Sequence, residues 1–114
     1  MKNNKQFTRL VLRATAKIPY GRVATYSQIA KAAKSPRAYR AVGNILNRNF
    51  RNENLRLPLI DNKPVPCHRV VKINGAVGGF AKGENEKIRL LSKEKIIIKD
   101  GKINLRKYLW NGYS

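Results

Sequence analysis

Residues 19–49 read PYGRVATYSQIAKAAKSPRAYRAVGNILNRN, and this stretch contains two short helical patterns separated by a tight turn. The chain is expected to turn at 19–21, where a proline and a glycine lie close together. Thr25 or Ser27 can cap the first helix, because a side-chain hydroxyl accepts a hydrogen bond from an unpaired amide of the first turn. The pattern predicts that this helix continues through Ala33.

The second helix of the pair is predicted to start at Pro36, with Ser35 as its N-cap, because proline is favoured at the first helical position. Tyr39, Val42 and Leu46 then recur at the spacing of one helical face. Two short helices joined by a tight turn are the outline of a helix-turn-helix, whose second helix enters a groove of DNA.

Two further helices are predicted on either side of this motif. Residues 7–18 carry apolar side chains on one face and basic side chains on the other, as in an amphipathic helix. Residues 84–93 repeat apolar side chains at helical spacing, with Ile88, Leu90 and Leu91 expected in the core.

Two small hairpins complete the predicted fold. Asn74-Gly75 and Asp100-Gly101 each stand between β-prone runs, where such pairs favour two-residue turns. Residues 50–63 lack a clear period and are interpreted as a loop, with a short helix or strand within it as the alternative. We therefore predict a mainly α fold with small β-hairpins, a winged helix-turn-helix in a single domain over residues 1–114.

The charge of the chain favours a polyanionic partner. Twenty-five Lys and Arg residues against six acidic residues give a formal net charge of +19 and an isoelectric point near 10.8. Such a surface attracts nucleic acid by counterion release and long-range steering. A lysine-rich solvated surface is the alternative interpretation, so charge alone does not identify a function.

The counts of cysteine and histidine exclude several kinds of site. One cysteine cannot form an internal disulfide, and one cysteine with one histidine cannot supply the four Cys and His ligands of a structural zinc site. We expect neither a metal nor a cofactor. The longest apolar run, residues 96–98, is too short to span a bilayer, so we expect a cytoplasmic protein whose thiol stays reduced.

The single cysteine and the single histidine are adjacent, at Cys67 and His68. A thiol reacts as its thiolate, and Pro66 as the first residue of a helical turn would place Cys67 among unpaired amides, with Arg69 adding positive potential. These features predict a lowered pKa for the thiol. Because neighbouring side chains point in different directions, His68 is expected to act through a bridging water. The alternatives are a small buried cysteine without chemistry, and a cysteine protease.

Several motifs together resemble the O6-alkylguanine-DNA alkyltransferases, also called methylated-DNA–protein-cysteine methyltransferases. The matching segments are IPYGRVATYSQIA at 18–30, RAVGNILNRN at 40–49, PCHRVV at 66–71 and GAVGGFAKGENEKIRLLSKE at 75–94. The similarity is to the C-terminal DNA-binding and active-site domain of that family, so its N-terminal domain is expected to be absent.

The resemblance implies direct repair of double-stranded DNA that contains O6-alkylguanine, by a protein that acts once and as a monomer. The damaged nucleotide is flipped out of the duplex, because a buried thiolate cannot reach a stacked base. By position in the motifs, Cys67 would be the nucleophile, His68 would take its proton, and Glu94 would orient His68. An ordinary surface charge at the end of a helix is the alternative interpretation of Glu94.

The resemblance also assigns supporting roles. Tyr26 would protonate guanine N3, with Lys87 favouring the ionised tyrosine, and Asn49 would be the hinge after the recognition helix. Arg40 would replace the extruded nucleotide in the duplex. The remaining assignments are DNA contacts at Tyr39, Ala41, Gly43 and Ser35, and a substrate pocket formed by Val70, Gly78, Phe80 and Ala81.

The chain departs from the family pattern in places. Phe50 follows Asn49 where the family usually has proline, and about ten extra residues separate Asn49 from PCHR, an estimate from the motif spacing. Phe80 stands where tyrosine is frequent, and Tyr39 is bulkier than the usual residue beside the arginine.

Two other functions are alternatives to alkyl transfer. Alkyltransferase-like proteins sense alkylguanine without transfer, but they carry tryptophan in place of the cysteine, and this chain has Cys67. A winged-helix regulator would leave PCHR, Lys87 and Glu94 without a joint purpose. The resemblance also implies that the recognition helix binds the minor groove and contacts mostly the DNA backbone, which predicts weak sequence preference and strong salt dependence.

Overall fold

The computed structural model describes residues 4–50, 59–78 and 83–113. The helices are α1 (Asn4–Ala16), α2 (Tyr26–Ala32), α3 (Tyr39–Phe50), α4 (Glu84–Lys93) and α5 (Leu105–Tyr108), with one 3₁₀ turn at Cys67–Arg69. The strands are β1 (Ala24–Thr25), β2 (Leu59–Ile60), β3 (Lys63–Pro64), β4 (Val70–Val71), β5 (Ile98–Lys99) and β6 (Lys102–Ile103). The predicted mainly α fold with small hairpins is confirmed.

The first helix of the predicted motif is capped by Thr25 rather than Ser27. The amide of Gln28 donates to Thr25 Oγ1 at 3.1 Å, and the amide of Thr25 donates to Gln28 Oε1 at 2.8 Å. This reciprocal pair is a capping box, which satisfies two amides at the start of α2. Ile29 and Ala30 on this helix are fully buried.

The second helix of the motif starts at Tyr39, three residues later than predicted. Lys34 has a positive φ of 66°, and the amide of Ser35 donates to the carbonyl of Ala30 at 2.9 Å. This bond closes the C-terminal end of α2, and Ser35 lies four residues before the first residue of α3. The predicted face was also wrong at Tyr39, which is exposed, whereas Val42 is buried.

The predicted hairpin at Asn74-Gly75 was wrong in its pairing. β4 pairs in parallel with β1, so that Ala24 faces Val70 and Thr25 faces Val71. The chain then turns over 72–75, and Ala76 bridges to Lys102 of β6. Tertiary burial decides this pairing, because both residues of β1 and both residues of β4 lie in the core.

The hairpin at Asp100-Gly101 is confirmed, with φ values of 54° and 73° at its two turn residues. Within the segment interpreted as a loop, β2 and β3 form another hairpin around Asp61-Asn62, where φ is 51° and 65°. Both turns have positive φ at both central residues, the geometry that matches the twist of antiparallel strands.

The core has two parts, which meet at the parallel pair of strands. One lies among α1, α2 and α3, and the other lies between β4, α4 and the β5–β6 hairpin. The C-terminal segment closes over the first part, where Tyr113 donates its hydroxyl proton to the carbonyl of Ala14 at 2.8 Å. None of the helices in the described ranges has the length and apolar character that a bilayer crossing needs.

Gly75, the glycine of the turn at 72–75, is expected to be sensitive to substitution. Its φ is +88°, and an added Cβ would lie 2.6 Å from the backbone oxygen of Ile103. We expect Gly75→Ala to lower the free energy of unfolding by about 2–4 kcal/mol in urea titrations, from backbone strain and the steric clash. Gly101→Ala is the matched control, because Gly101 has a similar φ of +73° and open space around it. Its cost is expected to be about 1–2 kcal/mol, and equal losses in the two variants would contradict the steric explanation.

Candidate active site and DNA-binding groove

Cys67 begins the 3₁₀ turn and is buried. Pro66 precedes the turn, and the amide of Cys67 donates to the carbonyl of Val65 at 2.8 Å. The amide of Cys67 is therefore paired, and so is the amide of Arg69, which donates to the carbonyl of Pro66 at 2.9 Å. Burial raises the pKa of the Cys67 thiol to about 12, although Lys87 and a backbone hydrogen bond lower it in part. The prediction of a lowered thiol pKa was wrong for the protein without DNA, because desolvation outweighs both stabilising contacts.

His68 is held by Glu94 in one tautomer. Nε2 of His68 lies 2.7 Å from Oε2 of Glu94, and a carboxylate only accepts, so Nε2 carries the proton. Nδ1 is therefore the ring's acceptor, and this buried atom has no hydrogen-bond partner among the described residues. Burial lowers the pKa of His68, as do Arg69 and Lys87, against the opposing effect of Glu94. The imidazole is thus a neutral base whose free lone pair is available.

Glu94 is a structural anchor and not an ordinary surface charge. It follows α4 directly and is buried, although it is a charged residue. Besides His68, it accepts hydrogen bonds from Nε and Nη2 of Arg69 at 2.8–3.0 Å and from the amide of Gly21 at 3.1 Å. Burial acts to raise the pKa of Glu94, but these hydrogen bonds outweigh it and hold the pKa below its usual value. The alternative interpretation from sequence is contradicted by this burial and bonding.

Lys87 is fully buried, between α2 and the segment that follows the 3₁₀ turn. Its Nζ donates to the carbonyl of Val70 at 2.6 Å and to the hydroxyl of Tyr26 at 3.3 Å. Burial lowers the pKa of Lys87 to about 7, while Cys67 and Glu84 act in the opposite direction. A lysine of this kind is close to half protonated at neutral pH and can give or take a proton.

Tyr26 is protonated in the resting protein. Burial raises its pKa to about 12, and the proximity of Cys67 adds to the rise. Desolvation outweighs the hydrogen bond that Lys87 donates to this hydroxyl, and the role of Lys87 in favouring an ionised tyrosine stays a prediction. A protonated Tyr26 is the form that can donate a proton.

Two glycines make room for the ring of Tyr26. An added Cβ would lie 3.7 Å from the ring at Gly43, and 3.4 Å from the ring and the hydroxyl at Gly78, whose φ is +82°. The ring therefore lies between α3 and the segment after the 72–75 turn. Gly43 was predicted as a DNA contact and Gly78 as a pocket residue, and the structure places both against Tyr26.

Tyr26 also lines an open groove of about 440 Å³ between α3 and the 72–75 turn. The α3 side presents Tyr39, Arg40 and Gly43, and the opposite side presents 72–74. Tyr26 connects this groove to the segment that holds Cys67, because Lys87 Nζ donates both to the Tyr26 hydroxyl and to the carbonyl of Val70. Ser35 and Ala41, also predicted as DNA contacts, do not line it.

The remaining predicted residues are described only in part. Asn49 belongs to α3, but its side chain lies outside what the structure describes, and Phe80 and Ala81 lie outside the described residues. Val70 is buried, and its carbonyl already accepts the bond from Lys87. Within the described ranges, no three His, Cys, Asp or Glu side chains are grouped closely enough to hold a metal ion.

Sequence reasoning missed two partners of Glu94 and one wall of the groove. Arg69 was assigned to the thiol, but it binds Glu94 and the carbonyl of Ile18 instead. The hydrogen bond from the amide of Gly21 could not be predicted from a sequence pattern, because every residue except proline has a backbone N–H. The wall at 72–74 could have been found only by knowing how β4 pairs, since that pairing brings the turn opposite α3.

The comparisons with known proteins agree with this geometry. A family model described as the DNA-binding domain of 6-O-methylguanine DNA methyltransferase matches residues 6–96, a range that includes Cys67 and Glu94. A methylated-DNA–protein-cysteine methyltransferase of Methanosarcina mazei is 41% identical over 90 residues, which are 79% of this chain and 51% of that protein. The chain spans about half the length of several curated methyltransferases that it matches.

Two other similar proteins match nearly the whole chain. A DNA base-flipping protein of Escherichia coli K12 is 34% identical over 112 residues, which are 97% of this chain and 79% of that protein. The crystal structure of S. pombe Atl1 in complex with damaged DNA containing O6-carboxymethylguanine has a TM-score of 0.75 at 28% identity. That similarity covers 97% of this chain and 99% of the Atl1 chain.

Proposed function

Because the chain belongs to the 6-O-methylguanine DNA methyltransferase family, through that family's DNA-binding domain, we propose that it repairs DNA by taking an alkyl group from guanine O6 onto Cys67. The observation that carries the proposal is the histidine next to the thiol. His68 is neutral, its Nε2 is held by Glu94, and its Nδ1 is buried with no partner among the described residues. This is the arrangement that a thiol needs when it must lose its proton during the reaction.

In the proposed reaction the guanine loses its alkyl group to Cys67 and gains one proton. The proton of the Cys67 thiol passes to Nδ1 of His68 through a bridging water, and the thiolate attacks the alkyl carbon. An S–C bond forms, the O6–C bond breaks, and its electron pair stays on the guanine. Tyr26 donates a proton to N3 of the guanine, and Lys87, in contact with the Tyr26 hydroxyl, can return one. The products are S-alkylcysteine and guanine, and the protein acts once.

The raised thiol pKa fits a reaction that starts only on damaged DNA. In the resting protein the thiol keeps its proton, because burial disfavours the anion. Proton removal by His68 is then coupled to the arrival of the flipped base, which places the alkyl carbon against sulfur. The resting thiol would accordingly react slowly with small alkylating agents.

The groove on α3 is proposed to receive the duplex. Arg40 would fill the space left by the extruded nucleotide, as a planar cation that can stack and donate hydrogen bonds. The carbonyl of Val70 has a second lone pair for the guanine amino group besides the bond from Lys87. The hinge role of Asn49 and the pocket roles of Phe80 and Ala81 stay predictions.

The test is intact mass spectrometry after incubation with a duplex that carries one O6-methylguanine. We expect the mass to rise by one methyl group per chain, mapped to Cys67, and no rise for Cys67→Ala. Methyl transfer in the Cys67→Ala variant, or none in the wild type, would contradict the proposal.

A second candidate function is recognition of alkylated DNA without transfer. Near end-to-end similarity to the DNA-bound Atl1 chain and the raised pKa of the thiol favour it. The same experiment separates the two functions. Wild-type protein that binds the lesion duplex tightly but keeps its mass would establish recognition alone.

Tyr26→Phe is expected to slow methyl transfer by about 100-fold, because it removes the proton donor. Binding of the duplex should stay unchanged, since the ring keeps its place between Gly43 and Gly78. Single-turnover transfer rates and titrations of a labelled duplex measure the two effects separately. Tyr20→Phe is the control, because its hydroxyl donates to the carbonyl of Lys93 and does not line the groove. If Tyr26→Phe transferred the methyl group at the wild-type rate, Tyr26 would not be the proton donor.

A further inference from the structure

Two large apolar side chains lie exposed on facing sides of the groove. Tyr39 is 42% exposed at the start of α3, and Ile73 is 73% exposed in the 72–75 turn. Tyr20, also exposed, has contacts of its own, with its hydroxyl bonded to Lys93 and its ring 6.0 Å from the guanidinium of Arg69. Single exposed apolar side chains are ordinary, but two that line the same groove indicate a binding surface.

The backbone holds Ile73 in its exposed position. The amide of Gly75 donates to the carbonyl of Lys72, and the amide of Lys72 donates to the carbonyl of Ala76, both at 2.9 Å. Asn74 adds a third bond, since its Oδ1 accepts from the amide of Ala76 at 3.0 Å. Isoleucine is branched at Cβ and has few rotamers, so this closed turn presents a stiff apolar side chain.

The turn is also fixed relative to the reactive cysteine. It follows β4 directly, and β4 is buried and paired in parallel with β1. β1 leads into α2 at Tyr26, which lines the same groove. The β1–β4 pairing therefore connects the turn of Ile73 to Tyr26, and Ile73 lies across the groove from Arg40.

The charges around the groove indicate which kind of molecule it binds. Arg40 and Lys72 line it beside the two apolar side chains, and the chain carries a net charge of +19. A cationic groove with apolar walls suits a duplex, whose phosphates face the cations and whose sugars and base edges face the apolar groups. Proteins that bend DNA through its minor groove insert isoleucine and similar side chains between base steps.

We propose that Ile73 is an apolar wedge that enters the minor groove opposite Arg40 and contacts the base step beside the extruded nucleotide. Tyr39 lies against the sugar edge on the other side of the groove. The proposal rests on the DNA-binding part of the proposed function. It assigns Ile73 a share in opening the base stack, and it predicts a contribution to affinity that does not depend on phosphate neutralisation.

The test compares Ile73→Ser with Ile97→Ser on a duplex that carries O6-methylguanine and a neighbouring 2-aminopurine. Ile97 is the matched control, because it is 65% exposed, has the same side chain and does not line the groove. We expect Ile73→Ser to bind about tenfold more weakly, from the loss of one buried aliphatic side chain. The rise in 2-aminopurine fluorescence on binding should shrink as well, while the slope of log affinity against log salt stays that of the wild type. Ile73→Leu should retain wild-type binding, and Ile97→Ser should match the wild type throughout.

Equal affinities and equal fluorescence changes for Ile73→Ser and Ile97→Ser would contradict the proposal that Ile73 is a wedge. A loss of affinity with a smaller salt slope would overturn it too, because the residue would then act through phosphate contacts. An undamaged duplex of the same sequence separates this inference from the proposed function. A wild type that shows no preference for the lesion contradicts lesion repair, whereas weaker binding of Ile73→Ser to both duplexes still supports the wedge.

Discussion

Glu94→Gln is expected to slow methyl transfer to Cys67 by about 10³–10⁴-fold, the size of effect that follows when a carboxylate no longer sets the tautomer of a catalytic histidine. Nε2 of His68 lies 2.7 Å from Oε2 of Glu94 and donates to it. An amide NH₂ at the same place can donate to Nε2 instead, which moves the ring proton to Nδ1. The lone pair that should take the thiol proton is then lost.

The same substitution is expected to destabilise the fold by about 2–4 kcal/mol, because it leaves the guanidinium of Arg69 without its carboxylate in a largely buried place. Transfer rates are therefore measured by mass spectrometry at a temperature where circular dichroism shows the variant to be folded. Glu86→Gln is the matched control on the same helix, since Glu86 pairs with Arg89 at the surface. It should change neither rate nor stability measurably. A folded Glu94→Gln variant that transfers at the wild-type rate would exclude the His68–Glu94 pair from catalysis.

Lys87→Met is expected to stabilise the protein at pH 7 while slowing transfer by about 10–100-fold, through loss of the amine beside Tyr26. Burial lowers the pKa of Lys87 from 10.5 in a solvated chain to about 7 in the folded protein. Between pH 7 and 10.5 the unfolded chain binds a proton that the folded protein does not. The loss of folding stability that the buried amine causes is therefore largest below pH 7. It decreases as the pH rises and disappears above pH 10.5.

Urea titrations at several pH values measure this effect. At pH 7 we expect Lys87→Met to gain about 2–4 kcal/mol, which is less than the full pKa shift implies because the carbonyl of Val70 loses its hydrogen bond. The gain should diminish steadily toward pH 10. Lys31→Met, at an exposed site on α2, removes the same charge and should keep the pH dependence of the wild type. A constant difference between Lys87→Met and the wild type from pH 7 to 10 would show that Lys87 is not perturbed by burial.

Together these variants separate stability from function at one site. Glu94 is predicted to stabilise both the fold and the reaction, because it satisfies a buried guanidinium and orients His68. Lys87 is predicted to support the reaction at the expense of the fold, because a buried amine is costly wherever it is protonated. Residues retained against their own stability cost are the expected mark of a functional site.

Elements whose signals are local could be predicted from the sequence. The capping pair of Thr25 and Gln28, the helix at 84–93 and the turn at Asp100-Gly101 each depend on residues within one or two turns of each other. The order of motifs around PCHR likewise indicated the family, which the comparisons confirm. Local rules suffice where neighbouring residues satisfy each other's backbone groups.

Features that depend on burial or on distant partners could not be predicted in this way, because they arise when the chain packs. The sequence predicts a helix start at Ser35, but the amide of Ser35 closes α2. Val70 pairs with Ala24 of β1, 46 positions away, instead of with its neighbours. The pKa of Cys67 rises where a local view of its amides and of Arg69 predicted a fall, because desolvation comes from residues that the sequence does not show to be close. Pairing and desolvation are properties of the packed chain, and no window of sequence contains them.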